Sequence, residues 1–333
     1  MIPIPEDTLT EMAALFNTSA DKLSMFGGGK EENDGVVYAY PVNGGRRLLK
    51  IQAIPAGDKK RGLFCLRERL GFADFLGRNG AAVSYPHASP KGNLFECVSS
   101  DSYEWIGYAM EIIPGIVGRP DAWDPDFFTN WGKTIGRLHR LAKEYPSWKS
   151  SVDPETGEEC LTWQEEWLFF HDWCRDPDAR EKWLELKELM DRLPVTRNDF
   201  GFIHNDAHLF NLIRDNDKIT VIDFDVANHH WFLTDIAIAS QTILFAITGG
   251  MNRPLSDARS LNGFFGYFLH GYKQENILSG AWLSRLDMFI AYRRLLLFTV
   301  MYDGIKSNPD RLRSWKEMIR TQPVLCGDIT TEL

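Results

Sequence analysis

Side chains suited to acid–base and metal chemistry are concentrated in two neighbouring stretches, 204–211 (HNDAHLFN) and 221–225 (VIDFD). Together they supply two carboxylates, Asp206 and Asp223, and one carboxamide, Asn211. Carboxylate and amide oxygens are hard ligands of the kind that Mg²⁺ prefers, and Mg²⁺ keeps several of its waters when it binds to protein. The residue types therefore predict a Mg²⁺ site.

A β-hairpin is predicted to bring these side chains together. Two strand-like runs, 212–214 and 218–222, flank a turn-prone Asp-Asn-Asp triplet. If the chain turns at the Asn of this triplet, Asn211 lies roughly opposite Val221 and two residues from Asp223. At about 3.3 Å per strand residue, the side chains of Asn211 and Asp223 then share one end of the hairpin.

The second strand of the hairpin is predicted to extend into the acidic run that follows it. Side chains alternate along a strand, so Asp223 and Asp225 are expected on one side, whereas Ile222 and Phe224 can pack on the other. Asp225 and His208 are our candidates for contacts with a substrate.

The motif that carries a family resemblance is His204-x-Asp206-x4-Asn211 followed by Ile222-Asp223-Phe224. It resembles the catalytic loop and metal motif of the aminoglycoside phosphotransferase, choline kinase and homoserine kinase superfamily, small-molecule kinases with a protein-kinase-like fold. In the related protein-kinase signature the loop Asp is the base, and the Asn and the Asp before Phe bind metal. The resemblance implies that Asp206 accepts the proton of a substrate hydroxyl and that Asn211 and Asp223 hold Mg²⁺ on the phosphates of ATP. It also implies that His204 braces the loop.

Residues of the first third resemble the nucleotide-binding part of the same superfamily. Lys50 lies in a strand-like run that follows a Gly-rich segment containing Gly28 and Gly29. This order resembles a phosphate-covering loop and a phosphate-pairing lysine, although the GxGxxG spacing of protein kinases is absent. The resemblance also implies a hinge at which Glu111 and Ile113 offer backbone groups to adenine.

A carboxylate partner for Lys50 is expected on the helix predicted after it. At about 100° per residue, Glu68 lies on one narrow helical face together with Phe64, Phe72 and Phe75. A carboxylate among phenylalanines is costly unless a cation meets it. We therefore expect Glu68 to pair with Lys50 and to contribute to the nucleotide site.

The order of elements predicts an α+β chain with a bilobal protein-kinase-like fold. Short strand-like runs dominate the first third, where one helix is predicted over about 61–77, and helical spacing dominates from 121 onward. The predicted domains are a small antiparallel-sheet lobe that binds nucleotide (1–110), a hinge (111–115), and a larger, mainly helical C-terminal lobe that carries the catalytic loop and the acceptor site (116–333).

Composition narrows the possible partners and location. The chain has 333 residues and a formal net charge of −9, which argues against nucleic acid as a partner. Its apolar runs fall short of the roughly 20 residues that span a bilayer, and the N-terminus has neither a basic head nor an apolar stretch, so no membrane partner and no signal peptide are expected. Five scattered cysteines favour a reducing, cytoplasmic setting over a disulfide or zinc framework.

The function favoured by the resemblance is ATP- and Mg²⁺-dependent transfer of the γ-phosphate to a hydroxyl of a small molecule. Two alternatives stay open: a kinase-like binding or regulatory protein with weak or no turnover, and a protein Ser/Thr kinase of the same superfamily. Few residues separate Phe224 from the helix predicted near Asp235, so there is no room for a long activation segment, which favours a small acceptor. The sequence does not select the acceptor or the oligomeric state.

Other chemistry-bearing residues have structural interpretations. Asp235 begins an apolar helix, where capping or the helix dipole explains it, and His139 is expected to be packed on an amphipathic helix. The segment Trp163–Trp173 suits either an amine-bearing substrate or a helix with a buried aromatic face and an acidic wet face, and we favour the second. Zinc at 204–208 is disfavoured, because a loop rather than a helix is predicted there.

Overall fold

The computed structural model describes residues 2–28, 35–118, 124–248 and 258–321. By its internal contacts the chain divides into two compact units, Met1–Gly115 with Ile222–Asp225, and Ile116–Val221 with Val226–Leu333. The inclusion of 222–225 in the first unit was not predicted. The roles assigned to the lobes and to the hinge stay predictions.

The first unit is built around an antiparallel sheet. Its helices and strands are α1 (Glu6–Leu15), β1 (Ser24–Gly28), β2 (Val36–Val42), β3 (Gly45–Pro55), α2 (Lys59–Arg78), β4 (Pro86–His87), β5 (Glu96–Ser99) and β6 (Tyr103–Glu111). Five of its six strands lie in the order β1-β2-β3-β6-β4, and the sixth, β5, also pairs with β6. The long β3–β6 ladder places Lys50 directly opposite Tyr108.

Both faces of this sheet are covered by apolar side chains. The cluster that includes α1 contains Met12, Phe16, Leu49, Ile51 and Trp105. The cluster that includes α2 contains Leu66, Leu70, Ile106 and Tyr108. Trp105 and Ile106 are consecutive on β6 and therefore point to opposite faces.

The helix α2 occurs where it was predicted, but its buried face differs from the predicted one. The buried residues are Leu66, Leu70, Phe72, Ala73 and Leu76, whereas Phe64, Glu68 and Phe75 are half-buried. The two leucines pack against Ile106 and Tyr108 of β6, and this contact sets the rotation of the helix about its axis. The prediction that the phenylalanine stripe marks the buried face of α2 was therefore wrong.

The second unit is mainly helical. Its elements are β7 (Ile116–Val117), α3 (Pro125–Ala142), β8 (Ser151–Val152), β9 (Glu159–Cys160), α4 (Trp163–Trp173), α5 (Pro177–Met190), β10 (Phe200–Ile203), β11 (Leu212–Asp215), β12 (Lys218–Val221), β13 (Asn228–Trp231), α6 (Leu233–Thr248), α7 (Ala258–Lys273), α8 (Gly280–Leu283), α9 (Leu286–Val300), α10 (Tyr302–Lys306) and α11 (Pro309–Thr321). An antiparallel sheet unit followed by a mainly helical unit confirms the predicted α+β class. Within the described residues, no helix combines the length and apolarity that a membrane span requires.

Glycines bring α3 and α7 unusually close. A Cβ added at Gly132 of α3 would lie 1.8 Å from the carbonyl oxygen of Phe268, and one at Gly271 of α7 would lie 1.8 Å from the carbonyl oxygen of Thr129. Real side chains never approach a backbone oxygen so closely, so these positions require glycine. The contact holds α7 against the helix that carries His139.

The predicted hairpin is confirmed, with a register one residue away from the predicted one. Strands β11 and β12 pair antiparallel, and Leu212 lies opposite Val221 where Asn211 was expected. Asn216 turns the chain with a left-handed φ of +51°, a conformation that Asn tolerates better than most residues. Because the strand β12 ends at Val221, the acidic run after it is not part of the hairpin.

Candidate active site

Asp206 lies in the loop after β10, and both of its carboxylate oxygens have partners. Oδ1 accepts a hydrogen bond from Nη2 of Arg293 at 2.5 Å. Oδ2 accepts from Nδ2 of Asn211 at 3.3 Å and lies 3.3 Å from Nε2 of His208. Burial raises the pKa of Asp206, but Arg293 and His208 outweigh burial and lower it to about 2. Asp206 is therefore ionised throughout the neutral pH range.

The backbone of this loop is held by two buried side chains. The ring of His204 accepts a hydrogen bond at Nδ1 from the backbone N–H of Asp206 at 3.2 Å. The carboxylate of Asp235 accepts from the backbone N–H of Asn205 at 2.8 Å and of His204 at 3.3 Å. Asp235 lies in the first turn of α6 as predicted, but the helix-end interpretation was incomplete, because the same carboxylate also holds the backbone of the loop that carries Asp206.

Glu166 of α4 is attached to the same loop. It accepts hydrogen bonds from the side-chain amide of Asn205, from Nδ2 of Asn228 at 3.3 Å and from the hydroxyl of Tyr292 at 3.0 Å. Burial raises the pKa of Glu166, and the three donors oppose that rise. The prediction that the acidic residues of 163–173 form a wet face is therefore wrong for Glu166, since its carboxylate is engaged inside the unit.

In the first unit the ammonium group of Lys50 contacts two carboxylates. Nζ donates to Oδ1 of Asp223 at 3.0 Å and to Oδ2 of Asp225. The hydroxyl of Tyr108 donates to the other oxygen of Asp225 at 3.1 Å. Burial alone would lower the pKa of Lys50, but Tyr108, Asp225 and Asp223 raise it well above its ordinary value. Lys50 is therefore a fixed positive charge.

The predicted ion pair between Lys50 and Glu68 is wrong. The ammonium takes its carboxylates from the acidic run, where Asp223 has a left-handed φ of +69° and breaks the expected strand alternation. Phe224 is buried, as expected, and its ring meets the edge of Phe72 of α2 at 6.2 Å between centroids. A phenylalanine of α2 therefore packs on the acidic run, and Glu68 stays half-buried on the same helix.

The remaining predicted nucleotide contacts fall at strand ends. Gly28 ends β1 with a φ of +78°, and a Cβ there would lie 2.1 Å from the carbonyl oxygen of Gly35, so the position requires glycine. Gly29 lies outside the described residues. Glu111 is the exposed last residue of β6, and Ile113 follows it half-buried. The contribution of these residues to ATP binding stays a prediction.

Asn211 and Asp223 fit a hard divalent cation by the chemistry of their donor atoms. The side-chain bonds that Asn211 makes to Asp206 use its nitrogen, and its oxygen is the atom that such a cation takes. The side chain of Asp223 is 47% exposed. In the described parts of the chain, no group of three or more His, Cys, Asp or Glu side chains could hold a metal. The joint role of Asn211 and Asp223 as ligands of Mg²⁺ stays a prediction.

Sequence reasoning missed Arg293 and Tyr108. Arg293 lies on α9, a helix that is otherwise rich in leucine, and a charge inside such a helix is a signal that a partner is needed. Tyr108 gave no signal in the sequence, because its importance depends on the β3–β6 register that places it opposite Lys50.

Comparisons with known proteins identify relatives along most of the chain. A family model described as the phosphotransferase enzyme family matches residues 37–268. Amicoumacin kinase of Bacillus subtilis (strain 168) is 25% identical over 308 residues, which cover 91% of this chain and 86% of that protein.

Two solved structures share the fold. An amicoumacin kinase in complex with AMP-PNP, Ca²⁺ and Ami has a TM-score of 0.82 at 22% identity, covering 98% of this chain and 96% of that chain. A microcompartment-associated aminopropanol kinase has a TM-score of 0.67 at 17% identity, covering 97% of each chain. At these identities the likeness establishes the architecture.

Proposed function

Because this chain belongs to the phosphotransferase enzyme family, we propose that Asp206 is the residue through which it phosphorylates a hydroxyl group of a small molecule. The family makes the chain a small-molecule kinase, as its catalytic-loop motif predicted. The observation that carries the proposal is the loop geometry: an ionised carboxylate with Arg293 on one oxygen and Asn211 on the other, on a backbone anchored by Asp235.

The role proposed for Asp206 is to orient the acceptor more than to deprotonate it. A carboxylate with a pKa of about 2 is a weak base at neutral pH. It can still accept a hydrogen bond from the hydroxyl and aim the oxygen for in-line attack, and it takes the proton late. Phosphoryl transfer through a loose transition state needs positioning and charge neutralisation above all.

For the nucleotide we propose ATP with Mg²⁺. Lys50 supplies a permanent positive charge for the phosphates, and Asn211 and Asp223 supply oxygen ligands for the cation. Mg²⁺, when bound, neutralises phosphate charge. A relative of the same fold is known in complex with AMP-PNP and Ca²⁺, which supports an adenine nucleotide and a divalent cation. Asp225 contacts Lys50 and Tyr108, which favours a role in holding Lys50 over the predicted substrate contact.

The first acceptor to test is an amicoumacin-type antibiotic, because the curated relative named for it covers 91% of this chain. An amino alcohol is the second, since an aminopropanol kinase shares the fold. A cytoplasmic location is proposed on the pattern of the cysteines: five scattered cysteines with no CxxC pair suit a reducing compartment.

The decisive experiment measures ADP release and phosphorylated product with Mg-ATP and a panel of amicoumacin, aminopropanol, choline, homoserine and aminoglycosides. With the best acceptor, Asp206→Asn should lower kcat by about 10² to 10⁴ and leave the affinity for ATP intact. Asp217→Asn, which alters an exposed turn residue, is the matched control. Full turnover by Asp206→Asn would refute the assignment, and ATP binding without consumption of any acceptor would favour the regulatory alternative.

A further inference from the structure

We infer that Tyr272 and Asn276 are positioning residues for the catalytic loop, acting through a directed chain of hydrogen bonds that starts at Lys143 and ends at Asp235. The inference rests on the proposed function only in taking the loop of Asp206 to be catalytic. The whole chain of bonds lies within the second unit.

The links of the chain are all of hydrogen-bond length. Nζ of Lys143 is 2.7 Å from Oδ1 of Asn276, and Nδ2 of Asn276 is 2.8 Å from the hydroxyl of Tyr272. That hydroxyl is 2.8 Å from Nδ1 of His139, whose Nε2 is 3.1 Å from Oδ2 of Asp235. The path therefore connects the C-terminal end of α7 with the carboxylate that anchors the loop.

The charges at the two ends fix the direction of every bond. The Lys143 ammonium can only donate, so it requires the oxygen of the Asn276 amide and leaves the amide nitrogen to donate to Tyr272. A flipped amide would place two donors face to face. At the other end the Asp235 carboxylate can only accept, so Nε2 of His139 carries the proton.

The directions of the two hydrogen bonds at the ends determine those of the bonds between them. His139 is 1% exposed, and burial lowers its pKa although Asp235 opposes the shift, so the ring is neutral and its Nδ1 has a lone pair. The hydroxyl of Tyr272 therefore donates to Nδ1 while it accepts from Asn276. Each group donates toward the loop, and aligned bonds of this kind polarise and strengthen one another.

The hydrogen-bonded side chains are buried and closely packed, which restricts their motion. Asp235, His139 and Tyr272 are at most 1% exposed, and Asn276 is 5% exposed. The ring of His139 stacks on Phe232 with centroids 4.6 Å apart. Loss of the donor at His139 or Tyr272 therefore leaves a buried acceptor without its hydrogen bond.

The outer end of the chain is accessible, unlike its middle. Lys143 and Asn276 line a cavity of about 780 Å³ that also contains Asp199, Glu275 and Trp282. The inner end reaches the N–H groups of His204 and Asn205, the two residues before Asp206. This series of hydrogen bonds therefore sets the orientation of the Asp235 side chain. Through Asp235 it also sets the position of the backbone that carries Asp206.

The test removes one oxygen atom, in Tyr272→Phe. With Mg-ATP and the acceptor identified by the panel, kcat should fall roughly 3- to 10-fold, as expected for the loss of one hydrogen bond, while KM for ATP stays within twofold. Nitrogen-15 NMR of labelled histidine should show Nε2–H and a hydrogen-bonded Nδ1 for His139 in the native protein, and a change at Nδ1 in the variant. Tyr267→Phe, at an exposed position of the same helix, is the control.

Asn276→Asp provides a second route that preserves size and the contact with Lys143 but removes the donor to Tyr272. It should lower kcat in the same direction and change the His139 signal, which also covers the case in which Tyr272→Phe does not fold. The inference fails if folded variants keep native kcat, or if His139 carries its proton on Nδ1. If Tyr272→Phe and Asn276→Asp keep native kcat while Asp206→Asn is inactive, only the role of the hydrogen-bond series is refuted. If Asp206→Asn is active, the proposed function is refuted.

Discussion

At the scale of single residues, Arg293 lowers the pKa of Asp206 and so weakens it as a base. A guanidinium in contact with Oδ1 stabilises the carboxylate and weakens it as a base, which burial alone would have strengthened. Arg293 is itself only 12% exposed. In the proposed mechanism, the acceptor hydroxyl therefore binds next to a positive charge.

Replacing Arg293 with Met should shift the acid limb of the kcat profile to higher pH by at least about one unit. The reason is that burial then raises the pKa of Asp206 with less opposition, so the carboxylate protonates at a higher pH. The measurement is kcat against pH with saturating Mg-ATP and acceptor. Arg313→Met, at an arginine side chain that is 79% exposed, should leave the acid limb in place, and an unmoved limb in Arg293→Met would contradict the account.

Tyr108 should matter for nucleotide binding although it contacts no phosphate in the proposed site. Its hydroxyl orients Asp225, which in turn holds the ammonium of Lys50. Tyr108→Phe should weaken ATP binding roughly 3- to 10-fold, the size of effect expected when one ordinary hydrogen bond is lost. Titration calorimetry with Mg-ATP measures this, and Tyr103→Phe on the same strand is the control. Equal affinities for the two variants would argue against the role.

Spacing along the chain carries information about contacts within a single loop. The loop motif of Asp206 and Asn211 is local, so the contact between their side chains follows from the loop itself. The pairing of Lys50 depends on segments far apart in sequence, and a helical-wheel argument could not anticipate that a left-handed Asp223 would supply the carboxylate in place of Glu68.

At the scale of elements, the approach of α3 and α7 depends on the absence of side chains. Gly132→Ala should destabilise the protein by about 2 kcal/mol or more, because overpacking against a backbone carbonyl outweighs the gain in helix propensity. Chemical denaturation measures the free energy of unfolding.

Gly266→Ala on α7 is the matched control for this substitution. A Cβ at Gly266 meets nothing within 4 Å, so the same change should stabilise by about 0.5–1 kcal/mol. If both alanine variants were equally stable, the close helix contact would not exist in solution.

The hairpin shows how far periodicity can specify an element. The turn residues and strand-like runs were enough to predict the pairing of β11 with β12. The register was wrong by one residue because Leu209–Asn211 forms a single 3-10 turn, so that the strand β11 begins only at Leu212. Such short turns leave no hydrophobic period to detect.

At the scale of the whole molecule, buried histidines couple stability to pH. The ring of His230 lies among Trp163, Trp231, Phe289 and Tyr292, and burial lowers its pKa to about 3. In the unfolded chain the same ring takes a proton near pH 6.5. The unfolded state therefore binds more protons between these values, and stability falls as pH falls from about 6.5 toward 3.

His230→Asn keeps an acceptor for the backbone N–H of Trp231 but cannot be protonated in this range. The variant should be less stable at neutral pH, and its stability should fall less steeply on acidification, by up to about 1.4 kcal/mol per pH unit. Denaturation at a series of pH values measures the difference between variant and native protein. His270→Asn, at an exposed position, should reproduce the native slope, and a variant slope equal to the native one would refute the coupling.

The α+β class and the order of the two units could be read from the change in periodicity near residue 121, because each unit is nearly contiguous in sequence. The exception is the short segment 222–225, which joins the first unit from far along the chain. A boundary inferred from composition cannot reveal that a four-residue segment returns from the second unit to join the first.

That return has a consequence for protein engineering by recombination. A single crossover with a relative, placed after residue 115, would take Lys50 and Tyr108 from one parent and Asp225 from the other. The hydrogen-bonded cluster of Lys50, Tyr108 and Asp225 would then combine residues from two different parents. Chimeras that exchange 222–225 together with the N-terminal segment should keep the cluster intact, and this linked exchange is the natural unit of shuffling.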